Sequence, residues 1–146
     1  MPTREEPAGP GLVVAAAVFR AGRLLAAQRS YPPALRGRWE LPGGKVEPGE
    51  EPVAGLAREL REELGLAIRI GEEVRPPDAG EKPGWPILGG RHMRVWLAAP
   101  LSEATPGDDH LAVRWVGPGE WQKLAWLTPN VPIVAAAFAQ QPPGGG

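Results

Sequence analysis

Three glutamates stand close together in Arg58-Glu59-Leu60-Arg61-Glu62-Glu63, and their spacing decides what they can do. From Pro52 onward the apolar residues fall at Val53, Leu56, Ala57, Leu60 and Leu64, the i, i+3, i+4, i+7 pattern of one helix face. Pro52 suits the first turn of that helix and Gly65 its stop. At about 100° per residue, Glu59, Glu62 and Glu63 share an arc of roughly 100° beside the apolar stripe. Like charges crowded there repel. Two readings stand: a solvated acidic face, or hard oxygen ligands suited to Mg²⁺ or Mn²⁺, whose charge turns repulsion into attraction. Gly55 falls among the acids on the same wheel and costs up to ~1 kcal/mol of helix stability against Ala. It either leaves room for metal or substrate or is simply tolerated.

The register of this helix with the loop before it carries more information than the helix alone. Gly44, five residues, Glu50, seven residues, Arg58-Glu59-Leu60, one residue, Glu62-Glu63, one residue, Gly65-Leu66 resembles the whole signature of the Nudix hydrolases. The resemblance covers 23 residues, Gly44 to Leu66. Outside them, Trp39-Glu40-Leu41-Pro42-Gly43-Gly44-Lys45 and the Pro/Gly-rich segment before it are similar to one branch of that family. That branch contains the MutT-type 8-oxo-dGTP pyrophosphohydrolases and the CTP or methyl-dCTP pyrophosphohydrolases.

The resemblance implies a Nudix-type α/β/α sandwich with a central mixed β-sheet and two main helices. It implies Mg²⁺-dependent hydrolysis, with Mn²⁺ able to substitute, of a nucleoside triphosphate such as 8-oxo-dGTP to the monophosphate and pyrophosphate, in nucleotide-pool sanitation. CTP or methyl-dCTP, an ADP-sugar, a dinucleoside polyphosphate and a capped RNA end are the alternative substrates. A non-catalytic nucleotide-binding protein on the same fold is the rival from another class, and the complete set of box carboxylates argues against it.

Carried onto this chain, the family pattern makes Glu59, Glu62, Glu63 and the backbone carbonyl of Gly44 metal ligands. Arg58 orients Glu59 as general base, Glu50 assists the metal or the base, and Lys45 touches phosphate; within the family the base role moves among these glutamates. MutT-like enzymes often add a ligand six residues before a strand Trp, and counting back from Trp115 gives Asp109. A solvated Asp108-Asp109 turn is the other reading. Asn130 lies where the related enzymes read the base, and Asn is equally a preferred helix N-cap. Arg91 and Arg29 are further candidates for base or phosphate, each also readable as plain surface. Tyr31, Trp85 and Trp126 offer aromatic faces for stacking, a core or a loop anchor.

The rest of the chain must position these residues. Leu12 to Phe19 and Leu24 to Gln28 read as strands joined by a turn at Gly22, a β-hairpin. Ser30 to Arg38 is a Pro/Gly loop with arginines at 29, 36 and 38, and Trp39 to Leu41 is a short strand ending at Pro42-Gly43-Gly44, read as a tight turn. Ala67 to Val74 is a strand, 75–90 a long loop, His92 to Ala99 a half-buried strand by its two-residue period, and Leu111 to Val116 another. Val131 to Ala139 is an apolar closing helix. Residues 12–140 are expected to form the domain, with flexible segments at 1–11 and 141–146.

Composition sets the outer bounds. The 146 residues suffice for one domain, and a hydrophobic share of 42% with six Trp can bury a core. A formal charge of −1 gives no global field to hold a nucleic-acid polymer, so an anionic substrate must be met locally. Zero cysteines remove disulfides, thiol catalysis and thiolate metal sites. The apolar run after Arg4-Glu5-Glu6 is eight residues long, well short of the roughly 20 that span a bilayer. The expectation is a cytoplasmic enzyme acting on a small nucleotide, as monomer or homodimer, away from membranes.

Overall fold

A computed structural model describes residues 12–77 and 84–141. The ends expected to be flexible lie outside the described residues, Gln141 excepted. The strands are β1 (Leu12–Arg20), β2 (Arg23–Arg29), β3 (Trp39–Glu40), β4 (Gly43–Lys45), β5 (Ile68–Val74), β6 (Trp85–Pro86), β7 (His92–Pro100) and β8 (His110–Val116). The helices are α1 (Pro52–Leu64) and α2 (Asn130–Gln140).

The strands form one mixed sheet of order β3-β2-β1-β7-β5, with β4 on β1, β6 on β7 and β8 on β2. Only β1 and β7 run parallel. Successive residues of β1 bury on opposite faces. Val14, Ala16 and Val18 meet Leu56, Leu60 and Leu64 of α1, while Ala15, Ala17 and Phe19 meet Ile133, Val134 and Ala137 of α2. That two-sided burial explains why the sequence of β1 is an unbroken apolar run. The expected sandwich is therefore present, with a helix on each face.

The hairpin is real but short. It turns through Ala21 and Gly22 with φ of 52° and 80°, and β1 pairs with β2 only at Phe19↔Leu24 and Arg20↔Arg23. Nearer its start β1 takes β4 as neighbour instead, from Val13↔Lys45 to Ala15↔Gly43, while β2 goes on with β3 and β8. The sheet opens where these partners change, and the chain crosses the opening from Glu40 to Gly43, pinned by Ala16 N–H to the Pro42 carbonyl at 2.9 Å.

Four sequence expectations are corrected. Gly43 and Gly44 form a strand, not a turn, because a backbone without Cβ can press against β1: a methyl on Gly43 would stand 1.9 Å from the Val14 carbonyl oxygen. The 75–90 loop contains β6 and a 3₁₀ turn over Leu88–Gly90; it is anchored where the buried Trp85 donates from Nε1 to the Val74 carbonyl at 2.9 Å. Val53 is 42% exposed and Gly55 is buried in its place, since the first turn of α1 packs against the loop before it. Finally, β8 begins at His110, one residue earlier than the apolar pattern indicates.

Candidate active site

α1 stops where its sequence says. Gly65 takes the left-handed conformation, φ 61°, and its N–H bonds to the carbonyls of Arg61 and Leu60. The loop that follows β7 closes over this end. Thr105 N–H donates to the Leu64 carbonyl at 2.9 Å and Ala67 N–H to Ser102 Oγ at 2.9 Å. Gly107 lies so close that a methyl there would stand 2.6 Å from the Glu63 carbonyl oxygen. One loop thus caps the helix and carries Asp109 back to Glu63.

On the helix flank, Arg58 gathers the acids. Its Nε donates to Glu50 Oε2 at 2.7 Å and its Nη2 to Glu50 Oε1 at 2.9 Å, a bidentate pair. Nη1 reaches Glu59 Oε2 and Glu62 Oε1, each at 3.2 Å, and Nη2 also reaches the Lys45 carbonyl at 3.3 Å. The Arg58 hydrogen bonds, helped by the Glu47 backbone N–H, hold the Glu50 carboxyl down at about 2, and the same pairing holds Arg58 well above its usual range. Gly55 is explained by this pair. A methyl at that position would stand 2.9 Å from Glu50 Oε1, so the space it leaves is filled by the Glu50 carboxylate and not by metal or substrate.

Glu59 connects this network to the open sheet. A methyl on Gly44 would fall 2.4 Å from Glu59 Cδ, so the glycine lets the carboxylate lie directly on β4. On its other side Glu59 meets Glu63. Burial, then the hydrogen bond to Glu59, then the charges of Glu59, Asp109 and Glu40 push the Glu63 carboxyl up to about 8. Among the described residues no three acidic or histidine side chains stand close enough to hold one ion as they are placed. The donor set still fits a divalent cation: hard carboxylate oxygens, an acid raised by burial and then by its anionic neighbours, and a backbone step at Gly44 cleared of any Cβ.

The crowding has a measurable sign. Glu63 lies above its ordinary 4.5 in the folded chain, so its contribution to stability is complete below about 4.5 and is lost as pH rises towards about 8. In EDTA, Glu63→Gln is expected to melt above the wild type at pH 9 and no higher at pH 4. Coincident melting curves at pH 9 would refute the raised Glu63 carboxyl, to which burial and then the neighbouring acids contribute.

Beside the acids a cavity of about 270 Å³ opens in the sheet, lined among others by Arg29, Tyr31, Glu40, Lys45, Glu63, Asp109, His110 and Asn130. Gly44 also lines it. The cavity and the Arg58 network together hold the carboxylates, Gly44, Arg58, Lys45, Arg29, Tyr31 and Asn130 singled out in the sequence, but not Arg91, Trp85 or Trp126. Arg91 lies just before β7, exposed, its carbonyl taken by the Ile87 N–H. Arg29 is committed: Nη1 donates to Glu40 Oε1 at 3.1 Å and Oε2 at 3.3 Å, and Nε to the Tyr31 carbonyl. Arg36 and Arg38 staple loop carbonyls at Ser30, Ala125 and Trp126. Trp85 and Trp126 are core residues, whereas Tyr31 is half exposed at the cavity.

Asn130 does not cap α2. It is the first residue of the helix, and its Oδ1 accepts the Leu41 N–H at 3.0 Å. A backbone N–H can only donate, which fixes the amide with its oxygen inward and its Nδ2 donor unpaired among the described residues. Glu40 and His110 were not anticipated as site residues. Their contacts span 11 and 70 positions, and the one local signal was a charged residue between the apolar Trp39 and Leu41.

The NUDIX domain matches residues 9–137. The "Putative 8-oxo-dGTP diphosphatase 2" of Mycobacterium tuberculosis is 42% identical over 118 residues, 80% of this chain and 79% of that protein. The "CTP pyrophosphohydrolase" of Escherichia coli is 35% identical over 127 residues, 87% of this chain and 90% of that one. The solution structure of the E. coli ORF135 protein superposes with a TM-score of 0.70 at 32% identity, covering 88% of this chain and 89% of that chain.

Proposed function

The chain belongs to the Nudix family and is a pyrophosphohydrolase of nucleotides; we propose that it cleaves a nucleoside triphosphate to the monophosphate and pyrophosphate, with 8-oxo-dGTP as the preferred substrate. The observation that carries this reading is the cavity itself. It joins an acid cluster at one side to a neutral donor and a fixed acceptor, Asn130 Nδ2 and Glu40, at the other.

A phosphate chain resists attack because its oxygens repel a nucleophile. Glu59, Glu63 and the Gly44 carbonyl, with Glu62 and Asp109, are the groups that would hold Mg²⁺, and Mn²⁺ in its stead. When bound, the cation neutralises phosphate oxygens and acidifies water. Glu59 is the base that orients and deprotonates the attacking water. Arg58 fixes Glu59 from behind and keeps Glu50 ionised and bound, which removes Glu50 from proton transfer. Lys45, exposed on β4, meets phosphate.

At the base end, Asn130 Nδ2 donates to O6 of 8-oxoguanine while Glu40 accepts from a ring N–H, such as the N7–H that guanine lacks. Cytosine offers N3 and N4–H₂ to the same pair, and the 35% identical CTP pyrophosphohydrolase supports that second reading. Turnover with Mg²⁺ in ¹⁸O water, followed by phosphorus NMR, tests the reaction. The expected products are a monophosphate and pyrophosphate with label in one of them only. Inorganic phosphate with a nucleoside diphosphate would overturn the proposal.

Asn130→Asp separates the two bases. An aspartate oxygen still accepts the Leu41 N–H, so the fold is kept, but the donor is replaced by an acceptor, which O6 of 8-oxoguanine cannot meet and cytosine N4–H₂ can. An unpaired buried polar group costs roughly 1–3 kcal/mol, so the ratio of kcat/KM for 8-oxo-dGTP over dCTP is expected to fall about five- to hundredfold. An unchanged ratio would remove Asn130 from base recognition.

A further inference from the structure

We propose that His110 is a positioning residue that sets base selectivity by holding the Glu40 carboxylate from behind the cavity wall; the inference rests on the nucleotide reading above. Three adjacent strands place the parts side by side. β2 pairs Ala27 with Glu40 of β3 on one edge and Arg29 with His110 of β8 on the other, so the strand of Arg29 runs between those of the acid and the imidazole. His110 is only 7% exposed, and its Nε2 lies 3.1 Å from Glu40 Oε2.

The chemistry of the ring follows from what surrounds it. Nε2 faces a carboxylate oxygen and must carry a hydrogen to make that contact attractive. Nδ1 is buried without a partner among the described residues. A hydrogen there would be a desolvated donor with no acceptor, which the interior penalises. The ring thus presents Nε2–H to Glu40, a single fixed donor aimed at the carboxylate.

A carboxylate has about four acceptor sites. Arg29 occupies one on each oxygen and His110 a second on Oε2, which leaves one, on Oε1. Without His110 the carboxylate is free to rotate about Arg29 and to offer Oε2 instead, and the single direction in which Glu40 can accept from a base is lost. His110 touches no substrate in this scheme and acts through Glu40 alone.

The test compares wild type, His110→Ala, His110→Gln, His110→Asn and Glu40→Gln, with the His110→Ala/Glu40→Gln double variant, on 8-oxo-dGTP, dGTP and dCTP with Mg²⁺. His110→Ala is expected to lower kcat/KM for the preferred nucleotide about tenfold, chiefly through KM, and to narrow its margin over the poorest one. Gln carries an amide donor where Nε2 was and should restore the margin; Asn is a carbon too short and should not. Should the alanine variant fail to fold, the Gln and Asn pair decides alone. In the double variant the margin is expected to equal that of Glu40→Gln, since the two residues act as a unit. An equal loss on all three nucleotides, additive losses in the double variant, or Asn restoring as well as Gln would overturn the role of His110 while leaving nucleotide hydrolysis standing. A wild type inactive on every nucleotide would overturn the nucleotide reading, and this one with it.

Discussion

Glu59→Gln is expected to lower kcat by about 100- to 10 000-fold with the fold intact. Glutamine has the shape of glutamate, its carbonyl oxygen still accepts from Arg58 Nη1, and the position on Gly44 remains open to it. What is lost is the lone pair that takes a proton from water, and one negative charge beside Glu63. Loss of that charge relieves repulsion once Glu63 is ionised, so the metal-free variant should melt no lower than the wild type above about pH 8. Glu50→Gln makes the contrast. Glu50 sits at about 2 because Arg58 holds both its oxygens, so it has no proton to exchange at working pH, and its replacement should cost less activity and more stability. Steady-state kinetics and thermal melts on the two variants read both effects. Activity of Glu59→Gln within threefold of wild type would take the base role from Glu59.

The acid helix was legible in the sequence because its signals are local: apolar residues at helical spacing, Pro52 at the start, Gly65 at the stop. So were its carboxylates. The cavity beside it was not, since it arises where β1 changes partner from β2 to β4, and nothing in a residue's near neighbours records that change. Gly43-Gly44 is indistinguishable from a turn until the chain it presses against is known. Asn130 and Arg29 were singled out by position, but their orientation is set by Leu41 and Glu40, 89 and 11 residues away. The arginines around the Ser30 to Arg38 loop show the same limit. Three cations near a mouth suggest phosphate, yet each is held by Glu40 or by loop carbonyls. Composition counts charges and says nothing about which are already paired.

The two glycines of β4 separate fold from chemistry, and the paired substitutions Gly43→Ala and Gly44→Ala are expected to fail in different ways. At Gly43 the added methyl meets backbone: 1.9 Å from the Val14 carbonyl oxygen and 2.7 Å from Ala15 Cα. Neither atom can move without breaking the pairing of β4 with β1, which lies under both α1 and the cavity wall. Gly43→Ala should therefore be made as insoluble or unfolded protein, or melt far below the wild type. At Gly44 the methyl meets only the end of a side chain, Glu59 Cδ and Oε1 at 2.4 Å. That carboxylate can swing aside at small cost, so Gly44→Ala should fold and melt close to the wild type. Its base would then stand about 1 Å or more from its place, and a misplacement of that size costs on the order of 100-fold in rate. Circular dichroism melts and kcat on the two proteins make the comparison. A Gly44→Ala enzyme of full activity would mean that Glu59 does its work from some other position than the one against β4, and the base assignment would pass to Glu62 or Glu63.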